Sequence, residues 1–186
     1  MWQVIAGNPA VIVGYAQATS ASAQAAATTS VAQTQAGTDS EQLLPTGARL
    51  LSLPYVRDLR GSLSVGELGK HLPFAPNRYF LVFDVPNAEV RGEHAHRLCH
   101  QFFVCVVGHC NAVVDDGKQG QEVRLDRKTL GLYMPPMTWG VQYKYSADAV
   151  LMVLASHVYD PSDYIRDYSE FLALTTKRQL QLGAAC

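Results

Sequence analysis

Two histidines one residue apart constrain this chain more than any other feature. His94 and His96 lie on the same face of a strand if this segment is extended, because side chains alternate along a β-strand. Gln101 follows, and then an apolar run from Phe102 to Val107 ends at Gly108. The pattern predicts a strand that carries two imidazoles, followed by a second, apolar strand that a turn closes.

The spacing of these residues resembles the first motif of the cupins, small β-barrels that usually use it to hold a metal ion. The usual polar residue of that motif is a glutamate, and here it is Gln101. The second cupin motif has a histidine four positions after a proline, and counted from Pro136 that position holds Gly140. Two of the four usual ligands are absent, and the carboxylate is one of them. We therefore predict no metal at the motif, since such sites require those ligands.

Without a metal, a pair of histidines inside a barrel is suited to proton transfer. The imidazole has a reference pKa of about 6.5, so it takes up and returns protons near neutral pH. The alternative is that His94 and His96 are the remains of a lost metal site. We favour acid–base chemistry, because polar groups that face a barrel interior without a function cost stability.

The remainder of the second half of the chain reads as many short strands. Turn signals separate most of them, and few helical patterns intervene, which indicates a sandwich or barrel. The predicted strands are residues 49–54, 78–85, 101–107, 110–114, 121–125, 131–134, 141–145 and 149–155, and residues 57–65 are predicted to be a turn followed by another strand. The sequence thus predicts an all-β fold, and the resemblance to the cupin motif implies a cupin, that is, a double-stranded β-helix or jelly-roll barrel.

One helix is predicted at the C-terminal end. Asp160 is suited to cap it, and Pro161 fits the first helical position. Asp163 adds negative charge to the first turn. The apolar residues that recur at helical spacing, and that we expect to pack on the barrel, are Tyr164, Ile165, Tyr168, Phe171 and Leu172.

Composition excludes several classes of protein. The 186 residues are 48% hydrophobic and 17% charged, and the formal net charge is -1, which is unsuited to binding nucleic acid. No apolar run reaches the roughly 18 residues that a membrane-spanning helix needs. The N-terminus also lacks the features of a signal peptide. The four cysteines form no CxxC pair. We expect a cytoplasmic protein with reduced thiols and no membrane association.

The chain divides into four segments. Residues 1–16 include a phrase, Val4 to Gly14, that resembles the closing coil of left-handed β-helix (hexapeptide-repeat) acyltransferases; the alternative is an apolar tail without a role. Residues 17–46 are rich in Ala, Ser, Thr and Gln and are interpreted as a flexible linker. Residues 47–176 form the predicted cupin domain, and residues 177–186 a C-terminal tail.

From about Arg49 to Leu174 the chain resembles the dTDP-sugar 3,4-ketoisomerases, a family of WxcM-like cupins. Its phrases occur in order in this sequence. They are Asp58–Gly61, Arg91–His96, Leu125–Asp126, Pro136–Trp139 and Tyr159–Tyr168. The family also contains fusions of an acyltransferase to a ketoisomerase, which gives a reason for the acyltransferase-like phrase.

The resemblance implies a tautomerisation of a dTDP-4-keto-6-deoxyhexose to the 3-keto sugar, without metal or cofactor. His94 and His96 would serve as general base and general acid, in either order. The implied ligands of the diphosphate are Arg60, Arg78 and Arg91. Tyr79 would bind the sugar, Trp139 would form a wall of the pocket, and Gln101 would orient a histidine. Each arginine could instead be a surface ion-pair partner, and for Arg78 this alternative is about as good; Tyr79 and Trp139 could both be plain core residues.

Three further points stay open or rest on the resemblance. A sugar-nucleotide-binding cupin without catalysis and a related dTDP-sugar epimerase are the alternative functions. Whether the product has the galacto or the gluco configuration is not decided by any residue. The family forms homodimers by exchange of N-terminal strands, so we predict a two-fold dimer that exchanges the edge strand Arg49–Leu53.

Overall fold

The computed structural model describes residues 2–5, 11–15 and 40–183. The chain forms two compact units, Met1–Val31 and Ala32–Cys186. In the first unit, β1 (Trp2–Ile5) pairs with β2 (Val11–Tyr15) in an antiparallel manner. The rest of the segment predicted as an acyltransferase remnant, and the linker as far as residue 39, lie outside the described residues. Both interpretations stay predictions.

The second unit is built from short strands and ends in a helix. Its described elements are β3 (Glu41–Leu43), β4 (Arg49–Ser52), β5 (Tyr55–Asp58), β6 (Gly61–Ser64), β7 (Arg78–Phe83), β8 (Arg91–His96), β9 (Gln101–Val107), β10 (Cys110–Asp115), β11 (Gly120–Leu125), β12 (Leu130–Met134), β13 (Trp139–Tyr143), β14 (Val150–Ala155), β15 (Tyr164–Ile165) and α1 (Tyr168–Gly183).

Two antiparallel sheets make the barrel. One has five strands in the order β11-β10-β13-β8-β15, and the other has six in the order β3-β4-β12-β9-β14-β7. The main apolar core lies between them, where Phe103 and Leu132 of the larger sheet join Val114 and Leu125 of the smaller one. The predicted all-β jelly-roll barrel is confirmed. β5 and β6 form a separate two-stranded hairpin.

The outer face of the six-stranded sheet carries a second apolar cluster. Leu51, Phe102, Val104 and Tyr133 are buried there, whereas Phe103 between them points into the barrel. β9 is therefore apolar on both faces, which is why its sequence is a continuous apolar run and does not alternate.

The folded unit begins earlier than the sequence predicts. β3 lies within the segment interpreted as linker, and it pairs with β4. All three of its residues are exposed, so it has no apolar alternation by which the sequence would reveal it. β4, predicted as an edge strand, lies between β3 and β12.

The C-terminal helix begins later than predicted. Asp160 does act as a cap, but it caps a single 3-10 turn, Pro161–Asp163. Tyr164 and Ile165 then pair with β8 as β15, and α1 starts at Tyr168. Sheet pairing thus overrides the helical pattern at this point. α1 continues to Gly183, so most of the predicted tail from residue 177 onward is helical.

Candidate active site

The histidine strand β8 lies inside the five-stranded sheet and is irregular just before the histidines. Glu93 has a positive φ of 53°, and the pairing with β13 shifts register there. Beyond this bulge, His94 and His96 lie on one face, with their ring centroids 5.0 Å apart and their planes nearly perpendicular. The prediction that both imidazoles share a face is confirmed.

Glycines allow β8 and β13 to approach closely beside His94. Gly92 has a φ of +87°, and a Cβ there would lie 2.6 Å from the carbonyl oxygen of Gly140. Gly140 itself pairs opposite His94, and a Cβ at Gly140 would lie 2.6 Å from Cε of Met134. The place of the third cupin histidine is therefore filled by Met134. With Gln101 in place of the carboxylate, these residues do not fit the usual cupin metal.

His94 is held as a neutral base. Its Nδ1 lies 2.8 Å from the carbonyl oxygen of Gly92. A carbonyl oxygen can only accept, so Nδ1 carries the proton and Nε2 keeps its lone pair. Burial lowers the pKa of His94, an effect that the Gly92 hydrogen bond opposes and the positive charge of Arg166 reinforces. At neutral pH the ring is therefore an acceptor for a proton.

His96 has a carboxylate behind it. Its Nδ1 donates to Oδ2 of Asp163 over 2.7 Å. Burial, opposed by this hydrogen bond, lowers the pKa of His96 to about 4. Its Nε2 is buried and has no hydrogen-bond partner among the described residues. His96 is therefore also neutral at neutral pH, and its Nε2 lone pair is unused.

Asp163 is fixed by more than the histidine. Its carboxylate also accepts hydrogen bonds from the backbone N–H of Leu98, at 2.7 Å, and of Cys99, at 3.3 Å. Burial raises the pKa of Asp163, but the hydrogen bonds from His96 and the two backbone groups outweigh it, and the pKa is lowered overall. Asp163 is thus an ionised anchor for the His96 ring.

A tyrosine covers both histidines. The ring of Tyr164 lies 4.9 Å from that of His94 and 4.4 Å from that of His96. The guanidinium of Arg166 lies 4.4 Å from the centroid of the Tyr164 ring. The ring of Tyr159 lies 5.7 Å from the ring of Tyr164, measured between centroids. Burial, to which the Tyr164 ring contributes, is the largest cause of the lowered pKa values of both histidines.

A cavity of about 90 Å³ opens between the two sheets beside His94. Its polar lining residues are Arg91, His94, Gln101 and Gln142, and apolar side chains of β7, β9 and β14 form the rest of the wall. The predicted residues Arg91 and Gln101 thus lie in the same cavity as His94. His96 is not part of this lining.

Arg78 lies on the inward face of β7 near the histidines. Its guanidinium is 5.4 Å from the ring centroid of Phe80 and 5.6 Å from that of Tyr159. Its Nε is buried and has no hydrogen-bond partner among the described residues. Its positive charge contributes to the lowered pKa of His96. Arg78 is therefore not the surface ion-pair partner that the sequence left as an alternative.

Three predicted site residues lie elsewhere in this chain. Tyr79 is on the outer face of β7, opposite to Arg78 and Phe80, and is 70% exposed. Trp139 packs against Tyr168 and Phe171 beneath α1, so it is a core residue and not a wall of the cavity. Arg60 lies at the exposed turn between β5 and β6, where it binds Asp58.

Sequence reasoning missed four residues that surround the histidines: Asp163, Tyr164, Arg166 and Gln142. The first three were interpreted as parts of a helix, because their spacing fits one. The phrase Tyr159–Tyr168 did contain a signal, since it is rich in aromatic and charged residues within the family resemblance. Gln142 had a weaker signal, namely a polar residue at an inward position of an apolar strand.

Comparisons with known proteins find a family model and a relative that this chain matches. Residues 46–176 match the family model described as "FdtA: WxcM-like, C-terminal". A curated relative, the TDP-4-oxo-6-deoxy-alpha-D-glucose-3,4-oxoisomerase of Aneurinibacillus thermoaerophilus, is 40% identical over 133 residues, which cover 72% of this chain and 96% of the relative.

Solved structures give the same result. The TDP-quinovose 3,4-ketoisomerase WlaRB of Campylobacter jejuni is similar with a TM-score of 0.66 and 38% identity, covering 68% of this chain and 97% of that one. The sugar 3,4-ketoisomerase QdtA of Thermoanaerobacterium thermosaccharolyticum, solved in complex with TDP, has a TM-score of 0.70 and 28% identity, covering 73% of this chain and 98% of that one.

Proposed function

This chain belongs to the family described as "FdtA: WxcM-like, C-terminal". On that premise we propose that it isomerises a dTDP-4-keto-6-deoxyhexose to the 3-keto sugar. The observation that carries the proposal is the pair of neutral histidines with fixed tautomers in a barrel whose relatives are 3,4-ketoisomerases. The reaction belongs to nucleotide-sugar biosynthesis, which we place in the cytoplasm.

The reaction removes a proton from one carbon and adds a proton to the neighbouring carbon. A base takes the proton from C3 of the sugar, the electrons of that bond form a C3–C4 double bond, and the C4 carbonyl oxygen takes up a proton, which gives an enediol. A proton is then delivered to C4, and the C3 hydroxyl loses its proton as the C3 ketone forms. Atoms and electrons balance without an oxidant. Two imidazoles with free Nε2 lone pairs supply this base and, once protonated, this acid.

Asp163 has a supporting role in this scheme. A histidine that accepts a proton at Nε2 becomes an imidazolium, and a carboxylate hydrogen-bonded to its Nδ1–H stabilises that charge and holds the ring orientation. The 2.7 Å contact from His96 to Asp163 has this form. Asp163 is therefore a positioning residue for His96.

We assign the diphosphate to arginines. The guanidinium fork binds phosphate oxygens at two points. Arg91 lines the cavity, and the buried, unpartnered Nε of Arg78 is a donor that a bound anion would satisfy. Arg60 is exposed on its hairpin, so in our proposal it binds the diphosphate in the site of a neighbouring copy of the chain. Gln101, which lines the cavity with His94, is proposed to orient the sugar or a histidine.

We further propose a two-fold homodimer formed through the six-stranded sheet. Its outer face exposes apolar side chains on β7, with Tyr79 70%, Leu81 45% and Phe83 55% exposed. Exposed apolar patches of this kind mark interaction sites. Within this chain, β4 of the segment Arg49–Leu53 pairs with β12. In the exchanged dimer that we propose, this segment would pair in the same way with β12 of the second copy. The dimer would give Tyr79 an interface role.

The proposal is tested by following the 3-keto product from dTDP-4-keto-6-deoxyglucose by NMR. We expect turnover by the wild-type protein and a loss on the order of 10²–10⁴-fold in His94→Asn and in His96→Asn. His157→Asn is the matched control, because His157 is exposed and outside the site. Wild-type turnover in both site variants would reject the assignment.

The same variants reveal which histidine is the base at C3 and which is the proton donor at C4. With substrate deuterated at C3, the variant that lacks the C3 base keeps its label. The variant that lacks the C4 donor still exchanges the C3 label with water but forms little product. Equal behaviour of the two variants would mean that one histidine performs both transfers and the other positions it.

A further inference from the structure

A second group of possible metal ligands lies beside the histidine pair and shares only His96 with the usual cupin positions. A ring nitrogen of His96, Sγ of Cys99 and a carboxylate oxygen of Asp163 all lie within 4.8 Å of one another, and Nδ1 is the His96 nitrogen that lies 2.7 Å from Asp163. His96 and Cys99 are buried, at 5% and 3% exposure. The three residues come from the end of β8, the loop after it and the 3-10 turn before β15. None of the cupin positions held by His94, Gln101 and Gly140 is used.

The chemistry of this group selects one class of cation. A thiolate, an imidazole and a carboxylate are the donors that Zn²⁺ takes in tetrahedral sites, with one position left for water. Hard cations such as Mg²⁺ and Ca²⁺ prefer oxygen ligands and bind thiolates weakly. A thiophilic ion of the Zn²⁺ type is therefore the one that fits.

Hydrogen bonds already hold part of this group in place. The backbone N–H groups of Leu98 and Cys99 hold the Asp163 carboxylate in place. The Cys99 thiol makes two long contacts, 3.4 Å to the carbonyl oxygen of His100 and 3.9 Å to Oγ of Ser156. Little hydrogen bonding is lost when this thiol is deprotonated, so ligation costs mainly the His96–Asp163 hydrogen bond.

We propose that His96, Cys99 and Asp163 form an inhibitory binding site for Zn²⁺ or a similar thiophilic divalent cation. The ion binds Nδ1 of His96, and the proton that Nδ1 carried moves to Nε2. The thiol of Cys99 loses its proton to solvent, so one proton is released. The lone pair at Nε2 is thereby lost, and His96 no longer accepts a proton. The inhibition, though not the binding, rests on the proposed ketoisomerase function.

The binding test needs no substrate. Zn²⁺ is titrated into tag-free protein by calorimetry, and Co²⁺ is added in parallel to record its absorption spectrum. We expect one equivalent of Zn²⁺, release of one proton, and a Co²⁺ spectrum with a thiolate charge-transfer band and tetrahedral d–d bands. Cys99→Ala should weaken binding by at least about 100-fold, since loss of a direct ligand costs at least as much as loss of a supporting residue. Cys186→Ala is the matched thiol control and should bind like the wild type.

Two results would overturn the site: absence of a stoichiometric Zn²⁺ equivalent, or Co²⁺ binding that is unchanged in Cys99→Ala. Circular dichroism shows whether the variant is folded, and a conservative Cys99→Ser variant provides a second reading if it is not. These outcomes stand whether or not the protein is a ketoisomerase.

The inhibition test then uses turnover. Zn²⁺ should suppress the wild-type activity, a chelator should restore it in full, and Cys99→Ala should keep its activity in the presence of Zn²⁺. Stoichiometric binding with unchanged turnover would reject the inhibitory role while leaving the site itself intact.

Discussion

At the scale of single residues, the chemistry depends on which ring nitrogen of each histidine holds the proton. A backbone carbonyl decides this for His94 and a carboxylate decides it for His96. The histidines themselves are predictable from the His-x-His spacing. The partners are not, because Gly92 offers a backbone oxygen and Asp163 lies 67 residues from His96 in sequence. The role of Asp163 follows only from the pairing of β15 with β8.

Asp163→Asn should impair catalysis and leave substrate binding almost unchanged. An amide can donate to Nδ1 of His96 and so favour the wrong tautomer, as in serine proteases that lose the triad aspartate. We expect kcat to fall at least about 100-fold with little change in KM. Asp160→Asn is the control, since Asp160 caps the same turn without touching a histidine. A variant that raises KM while keeping kcat would contradict the positioning role.

Burial of His96 should make stability depend on pH. Its pKa is lowered from 6.5 to about 4, so between these values the unfolded chain binds a proton here that the folded chain does not. The free energy of unfolding should therefore fall as the pH is lowered through this window, by about 3 kcal/mol at most from this group.

Urea unfolding at a series of pH values measures the effect. His96→Asn lacks the titrating group, so its stability should fall less steeply between pH 6.5 and 4 than that of the wild type. Parallel curves for the two proteins would show that His96 is not buried in its neutral form.

At the scale of elements, the strands of the barrel follow from apolar runs and turn signals, while the connections that form the site do not. β9 and β12 to β14 lie within a few residues of their predicted positions. The 3-10 turn and β15 were predicted as helix, because Tyr164 and Ile165 fit the apolar stripe of α1. The sheet edge offered by β8 outweighs that local preference, and a sequence pattern contains no information on an open edge.

One glycine in the middle of the larger sheet tests the packing directly. A Cβ at Gly131 of β12 would lie 2.1 Å from Cζ of Phe102, whose ring is buried. We expect Gly131→Ala to lower the free energy of unfolding by about 1–3 kcal/mol through overpacking. At Gly120 of β11, a Cβ would be 3.5 Å from its nearest neighbour. Gly120→Ala should therefore be close to neutral, and equal losses in the two variants would contradict the packing account.

At the scale of the whole molecule, the barrel leaves the outward apolar side chains of β7 exposed. The described residues include no helix long and apolar enough to cross a membrane. A second copy is the occupant we propose for the face. The sequence predicted the dimer only through the family resemblance, because apolar side chains on β7 are as compatible with a core as with an interface.

Deletion of residues 1–39 should leave a dimer, since it retains β3 and β4. Light scattering measures the mass of this variant with and without Leu81→Glu, which places a charge on the exposed face of β7. We expect the charge to yield a folded monomer. Leu98→Glu is the matched control at another exposed leucine and should remain dimeric. A monomeric truncated protein would place the dimer contact in the N-terminal segment instead.

The central claim is that this barrel moves a carbonyl between C4 and C3 of a TDP-linked sugar. The most direct measurement is the position of deuterium after reaction of dTDP-4-keto-6-deoxyglucose with the wild-type protein in heavy water, read by NMR. We predict a 3-keto product with solvent deuterium at C4. Label at inverted carbons with the ketone still at C4 would indicate an epimerase, and a substrate without label would indicate a binding protein. Either result would contradict the ketoisomerase.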